Sequence, residues 1–402
     1  LNNCVTIMGK RKFSYDLHHP TTNREILQES YEVTSRVMDT NEWVNYRKEL
    51  TGIHDIETLT RKIAMKRIVP KDVALLYEDL QKVMNLCIMT NSESIDLVNN
   101  YVMVNGDPTS QCGELIAVLE ETFHLDKCLG VNDMSKERLS NTNAENLVFI
   151  RNGISTKLDD LVNDCLNCRL QLDAIALKLS GIVGEIESKG KTPRKEQSKY
   201  VKIHETAKSE PVLMATKRRV TLLKSQIKKL HETNVEIPYV CHDGTHASIK
   251  VDLASLEYGS LGSNKKDEII YNDIIKSTTA KVQSSVDELV LGISVFWSGY
   301  MDELSERFEA IQTIASYVTM VDVLQSKAYI AHKYNYCKPE LVDGMEKAFC
   351  DFTGIRHPLI EHIQTNEIYV SNDLALGGDD SPDGLLLYGT NAVGKTSFIK
   401  SV

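Results

Sequence analysis

Apolar positions in two stretches of the chain recur at alternating spacings of three and four. In the first, Leu158, Leu161, Cys165, Cys168, Leu172, Ile175, Leu179, Ile182 and Ile186 keep that rhythm without interruption. Such a seam marks one side of a helix that packs along a partner. In the second, Ile275, Val282, Val286, Leu289, Ile293 and Phe296 lead into Leu304, Phe308, Ile311, Ala315, Val318 and Val321. No proline lies between Pro108 and Pro193 or between Pro238 and Pro339, so nothing in either stretch forces a helix to break. The pattern predicts two long helical arms. At about 1.5 Å per residue the first spans roughly 42 Å.

The segment between the arms has a different pattern. Tyr200–Thr206 and Pro211–Thr216 read as two short strands around a turn-like Ala207–Glu210, and a helix follows from about Lys217 to His231. After Pro339 the character changes again. Glu367–Leu376 and Leu385–Tyr388 are strand-like runs split by the Gly377–Gly384 loop, the opening of an α/β domain. The predicted fold is mainly α: long arms with a small inserted segment of short strands, then the beginning of an α/β domain. The expected boundaries are 1–188 for the first helical part, 189–270 for the insert, 271–340 for the returning helices and 341–402 for the start of the last domain.

Composition narrows the class. With 402 residues, 42% hydrophobic and 25% charged, the chain has the balance of an ordinary globular protein of two to four domains, which excludes disordered and collagenous classes. The longest apolar run, within Leu289–Trp297, is far short of the roughly 20 residues a bilayer-spanning helix needs, so no membrane partner is expected. Nine scattered cysteines form no disulfide framework, which fits a reducing, intracellular setting. Leu1–Arg11 lacks the apolar core of a secretory signal.

The net charge of −10 argues on its face against a nucleic-acid partner, but the charge is segregated. Lys189–Lys229 holds 13 Lys and Arg against 3 Glu. Within it, Lys217, Arg218, Arg219, Lys224, Lys228 and Lys229 crowd one predicted helix. Two readings stand: a solvated charged face, or non-specific contact with a phosphate backbone.

The sharpest signal is near the end. Gly389, Thr390, Asn391, Ala392, Val393, Gly394, Lys395 and Thr396 spell G-x-x-x-x-G-K-[ST], the P-loop. Its glycines let backbone N–H groups turn toward phosphates, and Lys395 adds positive charge toward the terminal ones. Thr396 offers a hydroxyl to Mg²⁺, with Asn391 and Ser397 beside it. The expected ligand is ATP with Mg²⁺. Other clusters carry less. Cys165 and Cys168 sit on the seam, where small buried side chains belong. Cys241, His242 and His246 lack a second ligand pair at zinc-like spacing, and His18 and His19 end the first helix.

Several stretches, in order, resemble the MutS family of DNA mismatch-repair ATPases. Leu1–Pro20 contains the T-x-x-G-x-R run that opens the family's lever, and Asp55–Asp72 resembles a second lever stretch with an acidic-hydrophobic pair, an Arg and a P-x-D helix start. Tyr317–Pro339 and Arg356–Glu361 (RHPLIE) resemble the return of the lever and the lead into the ATPase. The loop departs from the usual G-P-N-M-G-G-K-S-T at Thr390, Ala392, Val393 and Thr396-Ser397, and these changes look more like the branch found in giant viruses and octocoral mitochondria. The resemblance implies a lever, a clamp on double-stranded DNA at 189–270, and a homodimer or heterodimer. The clamp must leave the lever and return to it, so Leu158–Ile186 and Leu304–Val321 are expected side by side and antiparallel. Tyr369 falls where the family sets an aromatic against adenine; on its own residues it reads equally as a strand residue in a core. The mismatch-reading Phe-x-Glu segment and the Walker B strand are not found, so the chain reads as a fragment without hydrolytic activity of its own. A MutS-related recombination or structural clamp is the alternative, and a chromosome-maintenance ATPase fits less well because its P-loop precedes its coil.

Overall fold

The computed structural model describes the chain except residues 92–95, 104, 141–146, 188–199, 207–208, 261–265, 343–345, 364–367, 379–380 and 392. Helices α1 (Ile7–His18), α2 (Arg24–Asp39), α3 (Trp43–Leu50), α4 (Ile56–Ala64), α5 (Pro70–Thr90), α6 (Asp96–Val102), α7 (Pro108–Thr122), α8 (Leu125–Cys128) and α9 (Lys136–Ser140) precede the long α10 (Thr156–Glu187). Then come β1 (Lys202–Thr206), β2 (Ser209–Thr216), α11 (Lys217–Ile227), β3 (Asn234–Val240), β4 (His246–Asp252), β5 (Glu257–Gly259) and β6 (Asp267–Tyr271). Helices α12 (Asp273–Glu306) and α13 (Phe308–Tyr334) follow, then β7 (Phe349–Ile355), α14 (Pro358–Ile363), β8 (Asn372–Gly377) and α15 (Lys395–Ser401). The protein is mainly α with small antiparallel sheets. It divides into two compact units, one of Leu1–Asp55, Lys82–Thr109 and Thr313–Val402, the other of Ile56–Gln81 and Ser110–Gln312.

The first unit is organised around a buried carboxylate. Asp322 on α13 is fully buried. It accepts from Val5 N at 2.9 Å, Thr6 N at 2.7 Å, Thr6 Oγ1 at 2.6 Å and Gln325 Nε2 at 2.7 Å. These donors replace the water the charge gave up. Thr6 also caps α1, accepting from Gly9 N at 3.0 Å. A Cβ on Gly9 would stand 2.1 Å from Asp322 Oδ2, so only glycine lets α1 approach. Two residues on, Arg11 grips Asp55 through two 2.8 Å bonds. At the far end of α13, Arg356 donates to Tyr334 O at 2.9 Å, Asn335 O at 3.2 Å and Glu361 at 2.6 Å, and His362 stacks on Tyr334 at 3.6 Å. The orphan carbonyls of the helix end thereby hold β7 and α14.

The second unit is built on α10 and α12. A Cβ on Gly292 would meet Leu161 Cδ1 at 2.7 Å and Leu158 Cδ2 at 3.3 Å, while Leu172, Ile175, Leu179 and Val183 share a core with Ile275 and Val282. Numbers rise along α10 as they fall along α12, so the two are antiparallel. The expected partner of Leu158–Ile186 was Leu304–Val321; the observed partner is α12. Leu304 belongs to α12, and the chain breaks at Arg307 before Phe308–Val321 continue on α13. Periodicity marks an apolar face without naming what covers it. The seam also drifts: Ala176 and Val183 are buried where Ile182 and Ile186 are only half-buried, as 3.6 residues per turn requires of a helix pair that does not supercoil fully. Cys165 and Cys168 both face Ser285, and burial pushes both thiols up, which suits packing rather than chemistry.

Beyond that helix pair sits a small β-domain. Its four-stranded sheet runs β1-β2-β6-β5, every pair antiparallel, and among the described residues β3 pairs with β4 alone. Leu213, Ala215 and Ile270 of the sheet, Val220, Leu223 and Ile227 of α11, and Ile237 and Val251 of the hairpin close one core with α10. The strands expected at 200–216 and the helix after them are observed, the helix ending at Ile227 rather than His231. Strands β3 to β6 were not anticipated. Asp243-Gly244 between two alternating runs is the sequence signal of the β3–β4 hairpin, obscured by Pro238 inside β3.

Two outcomes follow from this packing. Gly9→Ala should cost about 1–3 kcal/mol through overpacking against Asp322, read from the chain's denaturation midpoint; an unchanged midpoint would remove the close-approach explanation. Leu172→Asn should cost more than about 2 kcal/mol, because it buries an amide in a hydrocarbon seam. The same change at Leu177, 47% exposed on α10, should stay within about 0.5 kcal/mol. Equal effects at the two positions would contradict the observed seam.

Candidate functional site

Two sets of residues bear on function, one in each unit. In the first, α15 starts at Lys395 from a left-handed cap at Gly394 (φ 90°, ψ 5°), and Gly389 also has positive φ, 155°. These are backbone angles side chains resist. Phe398 N donates to Gly394 O at 2.9 Å, opening the helix. Lys395 Nζ is folded onto the loop, donating to Gly389 O at 2.8 Å and to Thr390 O. The ammonium thus lies inside the turn of 389–394. Asn391 and Thr396 are exposed, and Ser397 is half-buried on the first turn of α15. Ala392 lies outside the described residues.

Around the loop the structure departs from the expected α/β start. Leu385–Tyr388 forms no strand, with Leu386 84% and Tyr388 85% exposed. Ile368–Val370 is irregular too, and the strand begins only at Asn372. A strand exists through the ladder a neighbour supplies, and among the described residues none pairs with either run. The sheet that does form, β7 with β8, is antiparallel. Tyr369 is half-buried on that irregular stretch, and no hydrogen bond or ring contact among the described residues joins it to the loop.

In the second unit, α11 presents its cations unequally. Val220, Leu223 and Ile227 point into the core. Lys217, Arg218, Lys224, Lys228 and Lys229 are exposed. Arg219 instead lies over the Tyr200 ring, its guanidinium carbon 5.0 Å from the centroid. Lys224 lies over Tyr258 at 4.2 Å, with Glu268 4.0 Å away. Lys189, Lys191, Arg194, Lys195, Lys199 and Lys208 lie outside the described residues. The Cys241–Thr245 turn is an ordinary polar one. Asp243 accepts from Thr245 N at 2.9 Å and Oγ1 at 2.6 Å, and its carboxyl is held below the usual range by those two bonds. His242 fastens the tip to α10 through Asn167 at 2.7 Å and Asn163 at 3.0 Å. Sequence reasoning missed those asparagines, because nothing local marks a residue whose partner is 75 positions away. Among the described residues no group of three or more His, Cys, Asp or Glu could hold a metal, and no helix is long and apolar enough to cross a membrane.

Residues 1–328 match MutS domain III. The chain belongs to the MutS family. The DNA mismatch repair protein MutS of Synechococcus elongatus is 35% identical over 127 residues, 32% of this chain and 14% of that protein. That of Fusobacterium nucleatum is 24% identical across all of this chain and 38% of its own length. A mutS homologue of Acanthamoeba polyphaga mimivirus is 21% identical over 94% of this chain and 32% of its own length. The chain thus spans little more than a third of the MutS relatives it matches end to end. In the T-x-x-G-x-R run, Thr6 and Gly9 belong to the Asp322 anchor described above, and Arg11 grips Asp55. The P-x-D start is likewise real: Asp72 accepts from Val69 N at 3.1 Å and Lys62 Nζ at 2.8 Å where α5 begins.

Proposed function

We propose that this MutS chain is the lever, clamp and phosphate-loop portion of an ATP-dependent mismatch-repair protein acting on double-stranded DNA. Nucleotide state at Lys395 is coupled through the long helices to the grip of the β-domain. The observation that carries the reading is the small β-domain of 200–271, built on the antiparallel pair α10 and α12 and bearing the basic helix α11. A lone charged helix is most often just solvated. One held out on two long helices, within a segment of 13 cations and 3 Glu, suits a sequence-independent grip on phosphates.

The phosphate loop fits ATP. Its two glycines hold the positive φ that turns backbone N–H groups inward, and Lys395 Nζ already sits among the loop's own oxygens, where a phosphate's oxygens would take their place. Thr396 would reach Mg²⁺, which supplies neutralising charge between phosphates when bound. Asn391, Ser397 and Tyr369 complete the proposed nucleotide set. The working protein is a dimer in this reading, and its likeness to DNA mismatch repair proteins supports repair over a purely structural clamp.

Lys395→Ala should weaken ATP binding at least tenfold, measured by titration of a fluorescent analogue, without moving the denaturation midpoint; unchanged affinity would refute the loop assignment. For DNA, binding of the chain to a homoduplex should fall steeply as salt rises. Replacing Lys217 and Lys228 with Ala should flatten the log-log slope by up to about 0.9 per lost phosphate contact. A double variant with wild-type affinity and slope would leave α11 as a solvated face.

A further inference from the structure

The six cations between positions 217 and 229 look interchangeable in sequence and are not so in the fold. At roughly 100° per residue, Lys217, Thr221 and Lys228 line one exposed stripe, with the exposed Arg218 and Lys229 farther round toward solvent. Arg219 stands about 160° round from it, and Lys224 is on its inner edge. Arg219 is held by an aromatic ring. Its guanidinium lies 5.0 Å from the Tyr200 centroid, and the same ring packs against α10, where a Cβ on Gly184 would stand 3.2 Å from Tyr200 Cε2. Lys224 is similarly committed, 4.2 Å over Tyr258 of β5 and 4.0 Å from Glu268 of β6. A cation over a ring within about 6 Å is held electrostatically, and a planar guanidinium on an aromatic face is not replaceable by lysine.

Resting on the clamp reading above, we propose a division of labour within this helix. Lys217 and Lys228, with Thr221 between them, meet the phosphate backbone. Arg219 and Lys224 are positioning residues that lock α11 onto α10 and the sheet through Tyr200 and Tyr258, and so aim the outer stripe. Only the first pair releases counterions from DNA, because a cation that stays on its ring neutralises no phosphate.

The test is binding of the chain to a homoduplex across a salt series, with variants of both classes. Lys217→Ala and Lys228→Ala should each flatten the log-log slope by about 0.9. Arg219→Leu should weaken binding several-fold at every salt concentration with the slope unchanged. Tyr200→Leu, which removes no charge, should reproduce that loss, and the double variant Arg219→Leu with Tyr200→Leu should be no weaker than either single one. Arg219→Lys keeps the charge and should fail to restore wild-type affinity. The division is overturned if Arg219→Leu flattens the slope as Lys217→Ala does, if Arg219→Lys binds like wild type, or if Tyr200→Leu has no effect. If Lys217→Ala and Lys228→Ala leave the slope untouched while Arg219→Leu flattens it, DNA binding stands and the division falls. If no variant alters the slope, the clamp reading itself falls and takes the division with it.

Discussion

One carboxylate sets the terms for the first unit. A fully buried Asp322 is tolerable only while donors replace its hydration, since an unpaired buried charge costs several kcal/mol. The chain spends the backbone of Val5 and Thr6, the Thr6 hydroxyl and Gln325 on it. That requirement fixes where residues 1–9 run, why a threonine caps α1, and why position 9 has no side chain. Thr6 and the carboxylate it binds are 316 residues apart in the chain.

The second unit solves a different problem with apolar surface. Two helices of 32 and 34 residues cannot bury a seam alone, so α10 and α12 cover each other, with Gly292 allowing close approach. Where the pair ends, the same stripe on α10 continues under the β-domain, so Leu172–Val183 serves both the helix pair and the domain it carries. A polar group on that stretch therefore disturbs more than one contact layer. Tyr200, between Gly184 and Arg219, extends the shared surface outward to α11.

Charge in the insert follows the same logic of shared use. Counting cations treats α11 as a uniformly basic helix. The fold divides it, because tyrosines and Glu268 engage Arg219 and Lys224 while the outer stripe faces solvent. In the glycine loop of 389–394, Lys395 rests on that loop's own backbone carbonyls.

Much of this was legible in the residues themselves. Seam spacing and the absence of proline determined α10 and α12, since a 3.6-residue period is a local property. The strands and helix of 200–227, the glycine loop of 389–394 and the family likeness were local too. Tertiary structure alone decided which helix covers the α10 seam, because an apolar face is equally satisfied by any complementary partner. It alone assembled β3 to β6, whose polar alternation and Pro238 hide them, and left Leu385–Tyr388 without strand form. Likewise, only the fold could separate Arg219 and Lys224 from Lys217 and Lys228. Their difference lies not in the side chains but in whether a ring or carboxylate from a distant strand stands within reach.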